Sequence, residues 1–240
     1  MSPTVDAGND AGVATLVVND VFGPTFQGEG PSCGRRAGFV RLGRCNLACS
    51  FCDSGHTWDW DHHDPTVELH TTAVAEVVSR LEAMSVSMVV VTGGEPLLQQ
   101  THLTPLLQVL KERGWWVEVE TAGTIAPKLP DGLVDRWNVS PKLANSGMPL
   151  ERRFKPAVLT QLQATGRAVF KFVVVHAGEL DEVDAIVREC RLAPVWVMPE
   201  GTDATTVVDR MQALADPVLA RGWNLTPRLH ILAWGDQRGR

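Results

Sequence analysis

Short apolar, β-branched runs alternate with stretches of helical periodicity along most of this chain. Runs such as SMVVVT, VFKFVVV and VWVMP read as strands. The intervening segments repeat leucine and valine three and four residues apart, as one face of a helix does. The pattern predicts strands at about 16–22, 38–42, 87–92, 115–121, 134–140, 168–175, 195–199 and 222–226. It predicts helices at about 72–84, 98–113, 151–164, 180–190 and 204–220, with Gly114 ending the second and Pro156 disturbing the start of the third. Strands that are continuously apolar and separated by helices predict an α/β domain, built on a parallel sheet with both faces covered.

Three segments fall outside this alternation. Residues 1–14 are small and polar and read as a disordered tail. Residues 23–37 read as a Gly/Pro-rich loop, and residues 43–66 as a long irregular loop carrying the run TWDWDHHD. Loops of that length inside a domain usually carry function. Nothing divides the remainder, so 15–240 reads as a single domain. In parallel α/β sheets, chemistry gathers beyond the carboxyl ends of the strands. Gly93-Gly94-Glu95-Pro96, Glu120-Thr121, Ser140-Pro141-Lys142 and Met198-Pro199-Glu200 all fall at such ends.

Composition narrows the function classes. The chain of 240 residues has a formal net charge of −6, which argues against nucleic acid as a partner. No apolar run approaches a membrane span, and the first residues lack the basic and apolar regions of a secretory signal. The five cysteines are odd in number, and Cys45, Cys49 and Cys52 crowd one loop. That is not a secreted disulfide framework. It predicts an intracellular metal or cluster site and a cytoplasmic location.

The spacing Cys45-x3-Cys49-x2-Cys52 puts three soft thiolates in one loop, which suits zinc, copper(I) or an iron–sulfur cluster. Cys190, in a predicted helix, reads as a buried small hydrophobe. Cys33 lies upstream in the Gly/Pro loop. His56, His62 or His63 would complete a Cys3His zinc site, so zinc stays a competitor. With three ligands only, a [4Fe–4S] cube keeps one iron open to a substrate.

With Phe51 just before its third cysteine, this loop resembles the cluster loop of the radical S-adenosylmethionine (radical SAM) superfamily. Gly93–Pro96 matches the superfamily's Gly-Gly-Glu-Pro turn. Within the superfamily, three stretches resemble the 7-carboxy-7-deazaguanine synthases: Phe26-Gln27-Gly28-Glu29-Gly30-Pro31, Gly38 through Leu47, and Cys52-Asp53-Ser54. The likeness runs from about residue 18 to His230. It implies a modified, partial (β/α) barrel, usually a homodimer. It also implies a ring contraction of 6-carboxy-5,6,7,8-tetrahydropterin to 7-carboxy-7-deazaguanine with loss of ammonia. In that reaction a reduced cluster cleaves SAM, and the resulting radical takes hydrogen from the pterin. The partners implied are a small-molecule pterin and a reductase or flavodoxin-type electron donor.

Carried over residue by residue, the resemblance gives the cluster to Cys45, Cys49 and Cys52, and a Mg²⁺ ligand to Ser54. It gives SAM contacts to Gly93, Gly94 and Glu95, to Ser140, Pro141 and Lys142, and to Val197, Met198, Pro199 and Glu200. Glu95 is expected to face the ammonium group of SAM. Substrate contacts fall to Phe26, Gln27, Gly28, Arg41 and Thr92, with Glu120 and His230 as further pocket residues. Departures are plain: the family commonly has Thr at Ser54, Pro-Tyr at Gly55-His56, and Gln-Pro-Met-Asp at Val197–Glu200. The C-terminal residues differ too, so no substrate role is carried to them. Asp59, Asp61, His62, His63 and Asp64 read as a solvated loop, Arg35 and Arg36 as a solvated basic face. Trp58 and Trp60 read as shields for the cluster. Two other readings stay open: a glycyl-radical-activating enzyme, which would share the cysteines but not the Phe26–Pro31 stretch, and a non-catalytic zinc-binding module.

Overall fold

A computed structural model describes residues 14–240, and the expected tail lies outside the described residues apart from Ala14. Nine strands form one sheet: β1 (Thr15–Phe26), β2 (Arg36–Leu42), β3 (His70–Ala73), β4 (Met88–Gly93), β5 (Trp116–Thr121), β6 (Arg136–Val139), β7 (Ala168–Val174), β8 (Val195–Pro199) and β9 (Asn224–Leu225). Their order is β3-β1-β2-β4-β5-β6-β7-β8-β9. β1 runs antiparallel to both β2 and β3, and every pair from β2–β4 to β8–β9 is parallel. The helices are α1 (Pro65–Glu68), α2 (Val74–Ala83), α3 (Gln100–Glu112), α4 (Leu150–Arg153), α5 (Pro156–Ala164), α6 (Leu180–Cys190), α7 (Ala204–Ala220) and α8 (Leu229–Trp234).

Alternation along the strands decides the shape. Val89, Val91, Val117, Val119, Val139, Phe170, Phe172, Val195 and Val197 are buried in one core with Leu103, Leu106, Leu107 and Leu110 of α3, Leu159 and Leu162 of α5, and Leu214 and Val218 of α7. The residues between them, including Thr92, Glu120, Asn138, Lys171, Val173 and Met198, line a single cavity together with Phe22 and Phe39. Successive side chains of a strand point to opposite faces, so one face meets helices and the other faces the cavity. Residues from β1 and β8, far apart in the sheet, share that cavity, so the sheet is curled. Helices cover one face only, so the expectation of a sheet with both faces covered is corrected for the face that lines the cavity. The inward strand positions carry Glu, Asn, Lys and Thr, which an apolar helix would strand without partners.

Several boundaries moved for local reasons. β1 continues past the predicted 22 to Phe26, through a register shift between Phe22 and Thr25 at Gly23, whose φ is +132°. β3 was not predicted; it is four residues long, three of them polar, and sits on the sheet edge. Pro156 divides the predicted helix 151–164 into α4 and α5, and stands at the start of α5. α8 lies in a segment that the pattern left without structure. It is six residues long, and its Leu229 N–H donates to the Gly28 carbonyl (2.9 Å).

Candidate functional site

The cavity measures about 390 Å³, within the usual size of a small-molecule site, and it opens at the carboxyl ends of the parallel strands. Cys45, Cys49 and Cys52 line it. Their loop is held from several sides: Gly43 N–H donates to Val17 O (3.0 Å), Gly94 N–H to Leu42 O (3.0 Å), Glu95 N–H to Arg44 O (2.9 Å) and Ser50 N–H to Ser146 O (3.0 Å). Gly94 allows this approach. A Cβ there would sit 1.9 Å from the Arg44 carbonyl oxygen. Cys49 is buried, Cys45 half-buried and Cys52 exposed. Burial pushes the Cys45 thiol up to about 11, and raises Cys49 against the opposing charge of Lys142. Such thiols stay protonated until a metal displaces the proton.

Among the described residues, the three sulfurs are not gathered within 4.8 Å of one another. Tetrahedral zinc at about 2.3 Å from each sulfur requires sulfurs about 4 Å apart. Among the described residues, the group of three ligand atoms gathered within 4.8 Å is Glu29, Asp53 and His230, and no cysteine belongs to it. Nor does that trio read as a metal box. Glu29 is ion-paired with Lys171, and Asp53 with Arg228, whose Nε lies 3.6 Å from Glu29. Two cations already neutralise the two carboxylates. Cys33 stands outside the cavity lining, its thiol against the Gly28 carbonyl (3.4 Å), and Cys190 is buried in α6 within the core.

Of the residues expected to hold SAM, Gly93, Gly94, Ser140, Lys142, Met198 and Glu200 line the cavity. Lys142 Nζ donates to Ser140 Oγ at 2.9 Å. Glu200 is paired with Arg210 of α7. Glu95 does not face the cavity, contrary to expectation. Its carboxylate is fully buried and accepts from Leu97 N–H (3.1 Å), Ala122 N–H (2.8 Å) and the Thr121 hydroxyl (2.9 Å). It is a strut between the ends of β4 and β5, with both oxygens turned to these donors and away from the cavity. Pro141, Val197 and Pro199 are buried but outside the lining; Val197 points into the helical core because β8 alternates.

Every residue expected on the substrate side lines the cavity: Phe26, Gln27, Gly28, Arg41, Thr92, Glu120 and His230. Glu120 is fixed by Gln27 Nε2 (3.0 Å) and Thr92 Oγ1 (2.7 Å). Gly28 lies under His230, where a Cβ would come within 2.1 Å of Nδ1. Arg41 NH1 donates to Ser54 Oγ (2.6 Å), and that hydroxyl donates to Asp53 Oδ1 (3.0 Å). Burial opposes ionisation of Glu29, yet Lys171, Arg228 and His230 hold its carboxyl well below the usual range. Burial lowers His230, against the pull of Glu29. His56 is lowered to about 4 by burial, then by Arg41 and Arg238.

Sequence reasoning missed Lys171, Arg228 and the segment Asp236–Arg240, all of which line the cavity; Asp53, part of the Cys52-Asp53-Ser54 match, lines it too. Lys171 read as one lysine in an apolar strand; a charged residue there, amid VFKFVVV, was the available signal for a polar lumen. Nothing in the sequence points Arg228 at Asp53, 175 positions away. The acidic and histidine-rich loop stays at the surface, with His62 against Asp59 at 2.9 Å, and Arg36 bonds the exposed carbonyls of Met84 and Ser85.

Comparison with known proteins bears on the same residues. The radical SAM superfamily model matches residues 40–157, a span that holds Arg41, the three cysteines, Gly93–Pro96 and Lys142. The 7-carboxy-7-deazaguanine synthase of Pyrobaculum aerophilum is 38% identical over 221 residues, covering 90% of this chain and 94% of that one. The synthase of Halobacterium salinarum is 35% identical over 262 residues, with 98% of each chain covered. In three dimensions the chain is similar to QueE from Escherichia coli, with a TM-score of 0.68 and 25% identity over 90% of this chain and 95% of that one. A radical SAM protein carries a [4Fe–4S] cluster and uses SAM. With its cysteine loop and Phe26–Pro31 stretch on one cavity, and with relatives matched end to end, the chain belongs to the 7-carboxy-7-deazaguanine synthase family within the radical SAM superfamily.

Proposed function

We propose that this enzyme converts 6-carboxy-5,6,7,8-tetrahydropterin to 7-carboxy-7-deazaguanine with loss of ammonia, in 7-deazapurine and queuosine biosynthesis. One observation carries the reading: the three-thiolate loop that follows β2 and residues Phe26–Glu29 at the end of β1 line the same cavity. A glycyl-radical-activating enzyme needs the first alone, and a zinc module needs sulfurs drawn closer together.

Cys45, Cys49 and Cys52 would hold the cluster. All three line the same cavity, and soft thiolates suit an iron–sulfur cluster. The cluster, when bound, supplies the electron that cleaves SAM and so starts the reaction on the pterin. The chain's residues do the rest. Gly93 and Gly94 bring backbone to the cavity wall, where a Cβ would strike the Leu42 or Arg44 backbone, and Ser140 and Lys142 offer a hydroxyl and a cation to SAM's polar end. Glu120, pinned by Gln27 and Thr92, presents carboxylate oxygens suited to the N–H edge of a pterin. Arg41 provides a guanidinium fork for the substrate carboxylate.

Mg²⁺ is part of the same proposal, held by Ser54 and by substrate oxygens, with Asp53 adjacent. Arg41 NH1 donates to the Ser54 hydroxyl, and a substrate carboxylate that took up the Arg41 guanidinium would leave that oxygen to the ion. The other partners proposed are a flavodoxin-type electron donor and a second copy of the chain. The proposed place of work is the cytoplasm; no described helix is long and apolar enough to cross a membrane.

The test is anaerobic reconstitution with iron and sulfide, followed by incubation with the pterin, SAM and a reductant. Formation of 7-carboxy-7-deazaguanine is expected, lost in Cys49→Ala and kept in Cys190→Ala. Added Mg²⁺ is expected to raise turnover, less so in Ser54→Ala. Reconstituted chain that cleaves SAM but leaves the pterin intact would overturn the substrate assignment.

A further inference from the structure

The three cysteine sulfurs differ in what faces them. Cys45 Sγ accepts from the backbone N–H of Leu47 (3.4 Å). Cys49 lies near the charge of Lys142. Cys52, the exposed one of the three, accepts from the indole Nε1–H of Trp58 at 3.2 Å. Trp58 is not a loose surface side chain. It closes the 3-10 turn Gly55–Thr57, and its own N–H bonds Gly55 O at 2.9 Å. The residue before it, Thr57, is fully buried; its hydroxyl donates to Ser54 O (2.7 Å) and its carbonyl accepts from Arg44 N–H (2.7 Å). The turn thus doubles the chain back and sets the indole edge against the sulfur of Cys52.

We infer that Trp58 is a positioning residue for the cluster, and that its indole N–H raises the cluster's reduction potential by bonding the Cys52 sulfur. This rests on the cluster assignment above. A hydrogen bond to a cluster sulfur stabilises the form with more negative charge, which is the reduced one. The indole donates only, so its direction is not in doubt. This goes beyond keeping water away: a hydrophobic ring without the N–H would shield equally well and would not ease reduction.

The experiment is a redox titration of the reconstituted chain followed by electron paramagnetic resonance, with and without SAM. In Trp58→Phe the ring stays and the donor goes. The reduced-to-oxidised ratio at a fixed potential is expected to fall by about threefold to tenfold, tenfold being about 59 mV for one electron. Trp60→Phe, two residues away on an exposed ring, is expected to leave the midpoint where it was. If Trp58→Phe leaves the midpoint unchanged and only Trp58→Ala moves it, the residue acts by excluding water and the inference fails. Equal shifts in Trp58→Phe and Trp60→Phe also overturn it. Should Trp58→Phe take up no cluster, the wild-type chain labelled with ¹⁵N at its indole nitrogens decides. A ¹⁵N coupling to the reduced cluster supports the contact, and its absence refutes it. Wild-type chain that binds no iron and sulfide would instead refute the cluster assignment itself, a result the iron and sulfide analysis reads separately.

Discussion

At the scale of single residues, the site is made by close approaches and by unequal protonation. Gly94 lets the end of β4 touch the cluster loop, and Gly94→Ala would drive a methyl into the Arg44 carbonyl. The loop must shift, so cluster content after reconstitution is expected to fall several-fold while the melting temperature drops by only a few degrees, since the contact lies at the rim. Normal iron content in Gly94→Ala would show that the contact is slack. Protonation gives a second prediction. Folding lowers His56 to about 4, while the unfolded chain takes that proton near pH 6.5. Between those values the unfolded state binds more protons, so stability falls as pH is lowered from 6.5 towards 4. His230, also lowered by burial, adds to the fall; Glu29 and Asp53 extend it below the ordinary carboxylate range, because each is held ionised in the fold. Glu95, raised by burial, works in the opposite sense. Thermal unfolding across this range should show the loss, and His56→Gln should make it shallower above pH 5. An unchanged slope would remove His56 from the account.

At the scale of elements, polar ties hold the helices in register with the strands they follow. Asp135, just before β6, takes Lys111 of α3 on both oxygens (2.7 and 2.6 Å) and caps the Val117 N–H of β5 (2.7 Å). One carboxylate therefore links three elements. Asp135→Ala strips the partner from a half-buried lysine and from a backbone donor, a loss of about 1–3 kcal/mol on the scale of an unsatisfied group. Urea denaturation should show the midpoint falling with an unchanged slope. A midpoint within error of wild type would mean water replaces the carboxylate. Glu95 has the same kind of role between β4 and β5, which is why a residue placed by motif beside a ligand proved to be a strut.

At the scale of the whole molecule, the curled sheet is tied across its opening. Arg228, which follows β9, bonds Gly201 O (2.6 Å), pairs with Asp53 of the cluster loop, and approaches Glu29 beyond β1. It thereby joins the last strand to two segments from the other side of the cavity. Breaking a buried pair by removing one partner costs about 3–5 kcal/mol; the Asp53 side chain keeps 41% exposure, so about 2 kcal/mol is the expected loss for Arg228→Met. Its melting curve should also become less dependent on pH below 5, because Asp53 loses the charge that favours its ionised form. A wild-type melt for Arg228→Met would show that the ends of the curled sheet hold together without it.

The alternation of strands and helices was legible because apolar periodicity is local: α6, β8 and α7 lie where the pattern put them. So were the three cysteines, whose spacing is itself a chemical statement, and the cavity residues Gln27, Arg41, Thr92 and Glu120, reached through motif resemblance. The short pieces β3 and α8 were not legible, because elements of four and six residues draw their stability from neighbours rather than from their own sequence. Nor was the direction in which a motif residue points. Glu95 and Val197 sit on segments that border the cavity, yet one is turned by its hydrogen-bond donors and the other by strand alternation. The polar network of Glu29, Lys171, Asp53 and Arg228 joins four distant parts of the chain. Sequence alone determined the family, and with it the cysteine loop and the segments that border the cavity. Only the curl of the sheet decided that the face without helices would be a charged cavity, because that curvature brings β1 and β8 to opposite walls of one space.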